Sequence, residues 1–347
     1  MSVPLYIATN NGDIGGGEVM LLNLARAARK LGHRVTVIGP SQPGQLLEAA
    51  ADEGFRRVSL PARSRSQYAA QLRAWDRRHR RGLLWCNGLL PAVATSGHRQ
   101  RIVHLHQLPT GKLQQLLARV ARQGALLTLL PSQFAADFFA GSRVFYNWVE
   151  PPALPLIKRE LKQPIRVGFI GRVSSIKGSD LVADAVQELN TGCPGRFTLV
   201  LAGTAKFIDP ARSLSMEDSL GSLGRHLELL GWVEPAELLS QVDLLVVPSL
   251  VPETFGLVAA EAMSARVPLI VSDAGALPEV VGRKHPWIVE RGNLTALVAM
   301  IDRLATLLVE QPEQVDRVVL QAFWRWQEYF SPQAGQQRVQ EILEELG

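Results

Sequence analysis

Two glutamates eight positions apart, Glu253 and Glu261, stand in the stretch Pro248-Ser249-Leu250-Val251-Pro252-Glu253-Thr254-Phe255-Gly256-Leu257-Val258-Ala259-Ala260-Glu261-Ala262. The pattern predicts a strand ending near Pro248, a short loop carrying Glu253, and a helix beginning near Gly256. The first carboxylate is then placed to accept hydrogen bonds from sugar hydroxyls, and the second, a little over two turns along, to face a ribose diol. Free amides near Phe255, Gly256, Leu257 and Val258 form a helix N-terminus, a ready site for a diphosphate. Two glutamates at this spacing also occur on ordinary capped surface helices. The strand, the proline and the Thr-Phe-Gly loop around them favour a site.

Upstream, Gly168-Phe169-Ile170-Gly171-Arg172-Val173-Ser174-Ser175-Ile176-Lys177-Gly178 follows an apolar run. Its glycines permit tight turns, and Arg172 and Lys177 project where two cations neutralise a diphosphate leaving group. Either cation alone also fits a solvated loop. In the first half, Gly15-Gly16-Gly17-Glu18 lies between a predicted strand and a helix predicted over Val19–Leu31. Glycine there lets a substrate approach the backbone and exposes helix amides. The run lacks the spacing Gly-x-Gly-x-x-Gly, and nothing after Val37-Ile38 supplies the acid that grips a nicotinamide cofactor's ribose, which argues against a dehydrogenase.

His104 and His106 close another predicted strand, before Gln107-Leu108-Pro109-Thr110-Gly111, so at least one should face outward at the strand's carboxyl end. Strand alternation is expected to send the two imidazoles to opposite faces, which argues against a two-histidine metal site. No Asp-x-Asp occurs in the chain. That removes the usual acidic pair for Mg²⁺ or Mn²⁺ on a diphosphate, and no metal is expected. Arg73, Arg77, Arg78, Arg80 and Arg81, with Trp75 among them, read as one helix, either a solvated face or a cationic face that touches an anionic membrane. Little aromatic interleaving accompanies them, so no nucleic acid is expected as a partner.

These residues need elements to position them. At 347 residues, 47% apolar and 20% charged, the chain has the size and composition for two domains. Short apolar runs, as a group rich in β-branched residues, predict strands over Val3–Thr9, Arg34–Gly39, Leu83–Asn87, Arg101–His106 and Ala125–Pro131, alternating with helical stretches. The Pro-rich passage Pro151 to Pro155, followed by the charged Lys158 to Lys162, reads as a linker. The alternation restarts with strands over Ile165–Ile170, Phe197–Ala202, Leu227–Leu230, Asp243–Pro248 and Leu269–Ser272. The fold class is therefore α/β, with two doubly wound, Rossmann-like domains whose strand ends face a central cleft. Their expected extents are 1–155 and 156–330. A helix over 331–347 is expected to pack back on the first domain, and Phe323, Trp324 and Trp326 stand in the helical tail before it.

Charge divides unevenly. Residues 1–150 hold 19 Lys/Arg against 8 Asp/Glu, a net of +11, and residues 151–347 hold 18 against 24, a net of −6. A basic first half suits an anionic partner such as a phosphate-bearing acceptor or phospholipid head groups. No apolar run reaches the roughly 18 residues of a spanning helix, and the start lacks the features of a signal peptide, so a cytoplasmic place is expected, with peripheral contact at the inner membrane face. Cys86 and Cys193 have neither metal-ligand nor redox spacing.

Together these motifs resemble the retaining GT-B glycosyltransferases of family four, group 1, over essentially the whole chain. Gly171-Arg172 with Lys177-Gly178 looks like that family's diphosphate-binding pair, Glu253 and Glu261 match its paired glutamates, and Gly15-Gly16-Gly17-Glu18 is similar to its glycine loop under the acceptor. His106, ahead of Gln107 and Pro109, resembles its active-site histidine, and Gly231-Trp232-Val233 its loop against the nucleotide base. The resemblance implies that Arg172 and Lys177 hold the donor phosphates, Glu253 the transferred sugar and Glu261 the ribose, with His106 near the sugar's C6 side. It also implies a nucleotide-diphosphate sugar, such as a UDP- or GDP-sugar, as co-substrate, and a glycan or lipid-linked acceptor. Front-face attack, with the leaving phosphate taking the acceptor's proton, would keep the anomeric configuration without metal, other cofactor or dedicated base. A non-catalytic nucleotide-sugar binder and a nucleotide-sugar epimerase are the rival readings.

Overall fold

The computed structural model describes residues 4–152, 161–203 and 218–346. Most of the predicted linker, residues 153–160, lies outside them. The chain divides into two compact units, Met1–Trp148 with Pro332–Gly347, and Val149–Ser331.

In the first unit seven strands form one parallel sheet: β1 (Leu5–Ala8), β2 (Val35–Pro40), β3 (Arg56–Leu60), β4 (Leu83–Asn87), β5 (Arg101–His104), β6 (Leu127–Leu130) and β7 (Arg143–Val144). Their order is β3-β2-β1-β4-β5-β6-β7. Alternation along each strand feeds two cores. Leu5, Ile7 and Trp85 join Met20 and Leu24 on one face, while Ala8, Leu84 and Cys86 join Ile38, Tyr68 and Leu72 on the other. β3 was not anticipated, because the edge sequence Arg-Arg-Val-Ser-Leu keeps most of its residues partly or fully exposed and shows no apolar run.

The helix Pro332–Leu346 belongs to this unit. Its Val339 and Ile342 enter the core that contains Trp148. A Cβ on Gly335 would stand 2.2 Å from the Trp148 indole, so the contact needs a residue with no side chain. Arg338 lies over the same indole and donates to the Tyr146 carbonyl. Burial pushes its guanidinium down to about 10.

The second unit repeats the plan with β8 (Ile165–Ile170), β9 (Phe197–Ala202), β10 (Leu227–Gly231), β11 (Leu244–Val247), β12 (Leu269–Ser272) and β13 (Ile288–Val289), all parallel, in the order β10-β9-β8-β11-β12-β13. The two-residue β13 and β7 are too short to show a period. The helices Ser179–Gly192 and Leu294–Glu310 bury Val182, Val186, Leu297, Ile301 and Leu304 in one core with Ile165, Val167, Leu199 and Leu244. The helix Pro312–Tyr329 also lies in this unit, with Trp326 buried and Trp324 exposed.

Both sheets reverse their order at one place, between β1 and β4 in the first unit and between β8 and β11 in the second. The loops leaving the carboxyl ends of those neighbouring strands diverge to opposite faces and open a crevice there. In the first unit those loops carry Gly15–Gly17 and the end of β4. In the second they carry Gly171–Gly178 and Pro248–Gly256.

The basic run divides. Arg73 turns inward to the carbonyls of Ala94 and Ser96, and Arg80 to buried Asp76 and the carbonyls of Gly82, Arg99 and Gln100. The helix ends at His79, so Arg80 and Arg81 lie past it. Arg77, Arg78 and Arg81 are the exposed members. Among the described residues no helix is long and apolar enough to cross a membrane.

Candidate functional site

At the second unit's crevice, Lys177 Nζ meets Glu253 Oε1 at 2.5 Å. A 3₁₀ turn over Ser175–Lys177 ends at Gly178, whose φ of +77° lets the chain turn straight into the helix Ser179–Gly192. A Cβ on Gly178 would lie 2.4 Å from the Pro248 carbonyl oxygen, so glycine also permits the two loops to touch. Glu253 is fixed from several sides. Its amide donates to the Ala274 carbonyl, the Ala276 amide donates to its own carbonyl, and Ser249 Oγ donates to its Oε1 over 2.6 Å. Buried Ser249 is itself held, because Ser272 Oγ donates to its carbonyl over 2.7 Å.

Gly256 caps the helix Leu257–Ser264 in the left-handed region, φ +104°, and a Cβ there would stand 2.5 Å from Leu277 Cδ2. The first amides of this helix, at Leu257 and Val258, precede its internal ladder and face its N-terminal side. Phe255 contributes backbone only, since its ring is buried against Phe330. On the same helix the carboxyl of Glu261 is pushed up to about 7 by burial, with the Glu234 carboxylate adding to the effect. Arg172 is exposed one residue after Gly171. Gly171, Gly203 and Gly231 end or follow the neighbouring strands β8, β9 and β10, all at positive φ, with the Gly203 amide donating to the Gly231 carbonyl over 2.6 Å. Trp232, 70% exposed, follows the last of these.

In the first unit, Gly15 caps the helix Gly16–Lys30. Buried Glu18 takes the Gly15 amide on one oxygen and the Thr9 hydroxyl on the other, and burial pushes its carboxyl up. Asn87, at the end of β4, bonds Gly17 and His106. The expected separation of the two histidines is wrong. Positions two apart along an extended chain share a face rather than oppose one another, and the two rings lie 4.1 Å apart. Burial holds the His104 imidazole well below its usual range and pushes that of His106 down to about 4, so both are neutral at physiological pH. Among the described residues no group of three or more His, Cys, Asp or Glu is arranged to hold a metal ion. Cys86 is buried and Cys193 exposed, both as free thiols.

Each unit matches its own family profile. Residues 164–306 match Glycosyl transferases group 1, and residues 14–149 match Glycosyltransferase Family 4. The chain belongs to the family-four, group 1 glycosyltransferases. This family member is 32% identical over 169 residues to the D-inositol 3-phosphate glycosyltransferase of Corynebacterium efficiens, an alignment covering 46% of this chain and 38% of that protein. A second such protein, from Nocardia farcinica, is 33% identical and covered over 36% of its length, so the chain spans under two fifths of these relatives. Over more of the chain it is 25% identical to the phosphatidyl-myo-inositol mannosyltransferase of Mycolicibacterium smegmatis, covering 83% of this chain and 81% of that one. Its fold is that of Anabaena HepE, solved in complex with UDP and glucose: the TM-score is 0.81 at 20% identity, over 99% of each chain. The GT-B fold is thereby established for this chain.

Two residues of the family member's crevices escaped sequence reasoning. Ser249 stands in the Pro-Ser step before Glu253, just past the predicted strand end, and was given no role. Asn87 closes an apolar strand and was given no role, although a polar amide at a strand's carboxyl end beside a reversal of strand order is a signal for a binding crevice.

Proposed function

We propose that the chain is a retaining, metal-independent glycosyltransferase that moves a sugar from a nucleoside-diphosphate donor, held by the Val149–Ser331 unit, to a hydroxyl of a glycan or lipid-linked acceptor. The observation that carries this reading is the Lys177–Glu253–Ser249 cluster, set at the reversal of strand order beside a glycine-capped helix N-terminus. Lys177, Arg172 and the amides at Leu257 and Val258 meet the charge that develops on the departing diphosphate. Glu253, oriented by Ser249, accepts hydrogen bonds from the sugar, and Glu261 accepts from the ribose diol. The acceptor oxygen bonds to the anomeric carbon on the face from which the diphosphate leaves, the bond from that carbon to the phosphate oxygen breaks, and the acceptor's proton passes to the leaving phosphate. That route needs no side-chain base, and configuration is kept.

The names of relatives support the donor and acceptor classes: HepE was solved with UDP and with UDP-glucose, and the mycobacterial relative is named for phosphatidyl-myo-inositol. Peripheral contact with an anionic membrane would fall to Arg77, Arg78 and Arg81, the exposed members of the basic run. Co-sedimentation with anionic vesicles should then decline as salt rises, and indifference to anionic lipid content at low salt removes the contact.

The deciding experiment is a thermal-shift screen with UDP, GDP, ADP, TDP and CMP, with and without EDTA, followed by NMR of the anomeric coupling in the product. A ligand at 100 times its Kd stabilises by about 2.7 kcal/mol. One diphosphate that stabilises equally with EDTA, and a product of the donor's anomeric configuration, are expected. Inverted configuration, or turnover abolished by EDTA, overturns the corresponding part.

Glu261 adds a pH signature. Ribose hydroxyls donate to the ionised carboxylate, so nucleotide binding favours that form and releases a proton. With the free group pushed up to about 7, affinity should be full above that pH and weaken below it, by at most about tenfold per pH unit. The Glu261→Gln variant lacks this component. Calorimetric titrations in which both proteins share one pH dependence would remove Glu261 from the ribose.

A further inference from the structure

Asn87, 3% exposed, sits where β4 meets the glycine run at the first unit's reversal of strand order. Its Nδ2 donates to the Gly17 carbonyl over 3.0 Å. A carbonyl only accepts, so the amide's orientation is fixed and Oδ1 faces His106, whose Nε2 lies 2.7 Å away. Oδ1 is also only an acceptor. The His106 proton therefore resides on Nε2, and the lone pair of the neutral ring on Nδ1. The ring is packed on further sides: a Cβ on Gly17 would lie 3.5 Å from His106 Cδ2, and the His104 ring centre is 4.1 Å off. His104 is itself set by Trp85, whose Nε1 donates to its Nδ1 over 3.4 Å.

We infer that Asn87 is a positioning residue for the proposed glycosyl transfer: by bonding Gly17 and His106 together it ties the glycine run to the histidine, fixes the Nε2–H tautomer and leaves the lone pair on Nδ1, a buried atom and the ring's one acceptor for a sugar hydroxyl. The part in glycosyl transfer and the sugar contact rest on the functional reading given above, whereas the tautomer does not. Neutrality is required, because an imidazolium has no lone pair to offer, and burial supplies it. The titratable neighbours do not work against it. His104 faces the ring from β5 and is itself held neutral, while the Glu18 carboxyl, on the helix after Gly17, is turned to Thr9 and Gly15. An aspartate at position 87 would change this, since a carboxylate at hydrogen-bond distance from Nε2 favours the imidazolium.

The test compares the full chain with its Asn87→Ala and Asn87→Asp variants, each labelled with ¹⁵N-histidine. In the unmodified protein the His106 nitrogens should show the Nε2–H tautomer from about pH 5.5 to 8. Asn87→Ala should give a tautomer mixture and lower kcat by about 10²-fold, while UDP-induced or other nucleotide-induced stabilisation is unchanged, because the nucleotide binds the other unit. Asn87→Asp should restore the Nε2 proton, raise the His106 titration into the measured range, and make kcat fall toward acid pH where the unmodified protein stays level. An Nδ1–H tautomer in the unmodified protein overturns the inference, as does an Asn87→Ala variant with tautomer and kcat both intact. If Asn87→Ala does not fold, the unmodified spectrum and the Asn87→Asp titration decide. Should no donor and acceptor give turnover, the functional reading fails while the tautomer still reports on Asn87.

Discussion

The Glu253→Gln variant should fold normally and turn over its sugar about 10²-fold more slowly, or worse. Volume and backbone bonds are kept, so the strand bridge to Gly275 survives. What changes is the partner offered to Lys177 and Ser249. The carboxylate oxygen that takes both the ammonium and the hydroxyl becomes part of an amide, which has one acceptor and carries no charge. Lys177→Ala should cost a similar factor by removing the cation that meets the leaving diphosphate. Because the two side chains are in contact, their effects should be less than additive, and the double variant should be little slower than either single one. Steady-state kinetics on the three proteins checks this. A wild-type rate in either single variant removes that residue from the site, and full additivity shows that the ion pair has no part in the chemistry.

Gly178→Val should have the largest effect on the architecture of the crevice. At φ +77° a β-branched residue is strained, and its Cβ would meet the Pro248 oxygen at 2.4 Å and the Pro248 ring at 2.9 Å. Relief requires the two loops to separate, which carries Lys177 away from Glu253. A loss of about 3 kcal/mol or more in denaturant unfolding is expected, together with loss of the nucleotide-induced rise in Tm. Gly192→Ala, where a Cβ would meet nothing within 4 Å, is the control and should leave both unchanged. Equal behaviour of the two variants would show that the close approach of the loops is not what holds the crevice.

Most of this arrangement was legible in the chain before any coordinates. Strands buried on both faces declare themselves as short apolar runs, so β4, β8 and β9 were placed from residue type alone. The pairing of Glu253 with Lys177, 76 positions apart in sequence, was harder to see than either residue, because it depends on β8 and β11 being neighbours. Strand order is a tertiary fact, and spacing along one helix says nothing of it. β3 stayed hidden because an edge strand with two arginines has no hydrophobic period. The two histidines, by contrast, obey strand alternation: positions two apart share a face, so their rings meet instead of parting. Of the basic run, sequence gave the charge and missed its use, since a backbone carbonyl that attracts Arg73 or Arg80 leaves no mark in the residue types around it.

The close fit of Gly335 against Trp148 bears on how the molecule is made. The helix that covers this indole leaves the ribosome only after the whole of Val149–Ser331 has been synthesised. At typical elongation rates that interval is roughly 10 to 40 s. Through it the nascent first unit carries its sheet with one flank uncovered, while the second unit, continuous in sequence, already has every strand it needs. The order of completion therefore runs against the order of translation, and the apolar face around Trp148 is the part of the growing chain that a holding chaperone would find open.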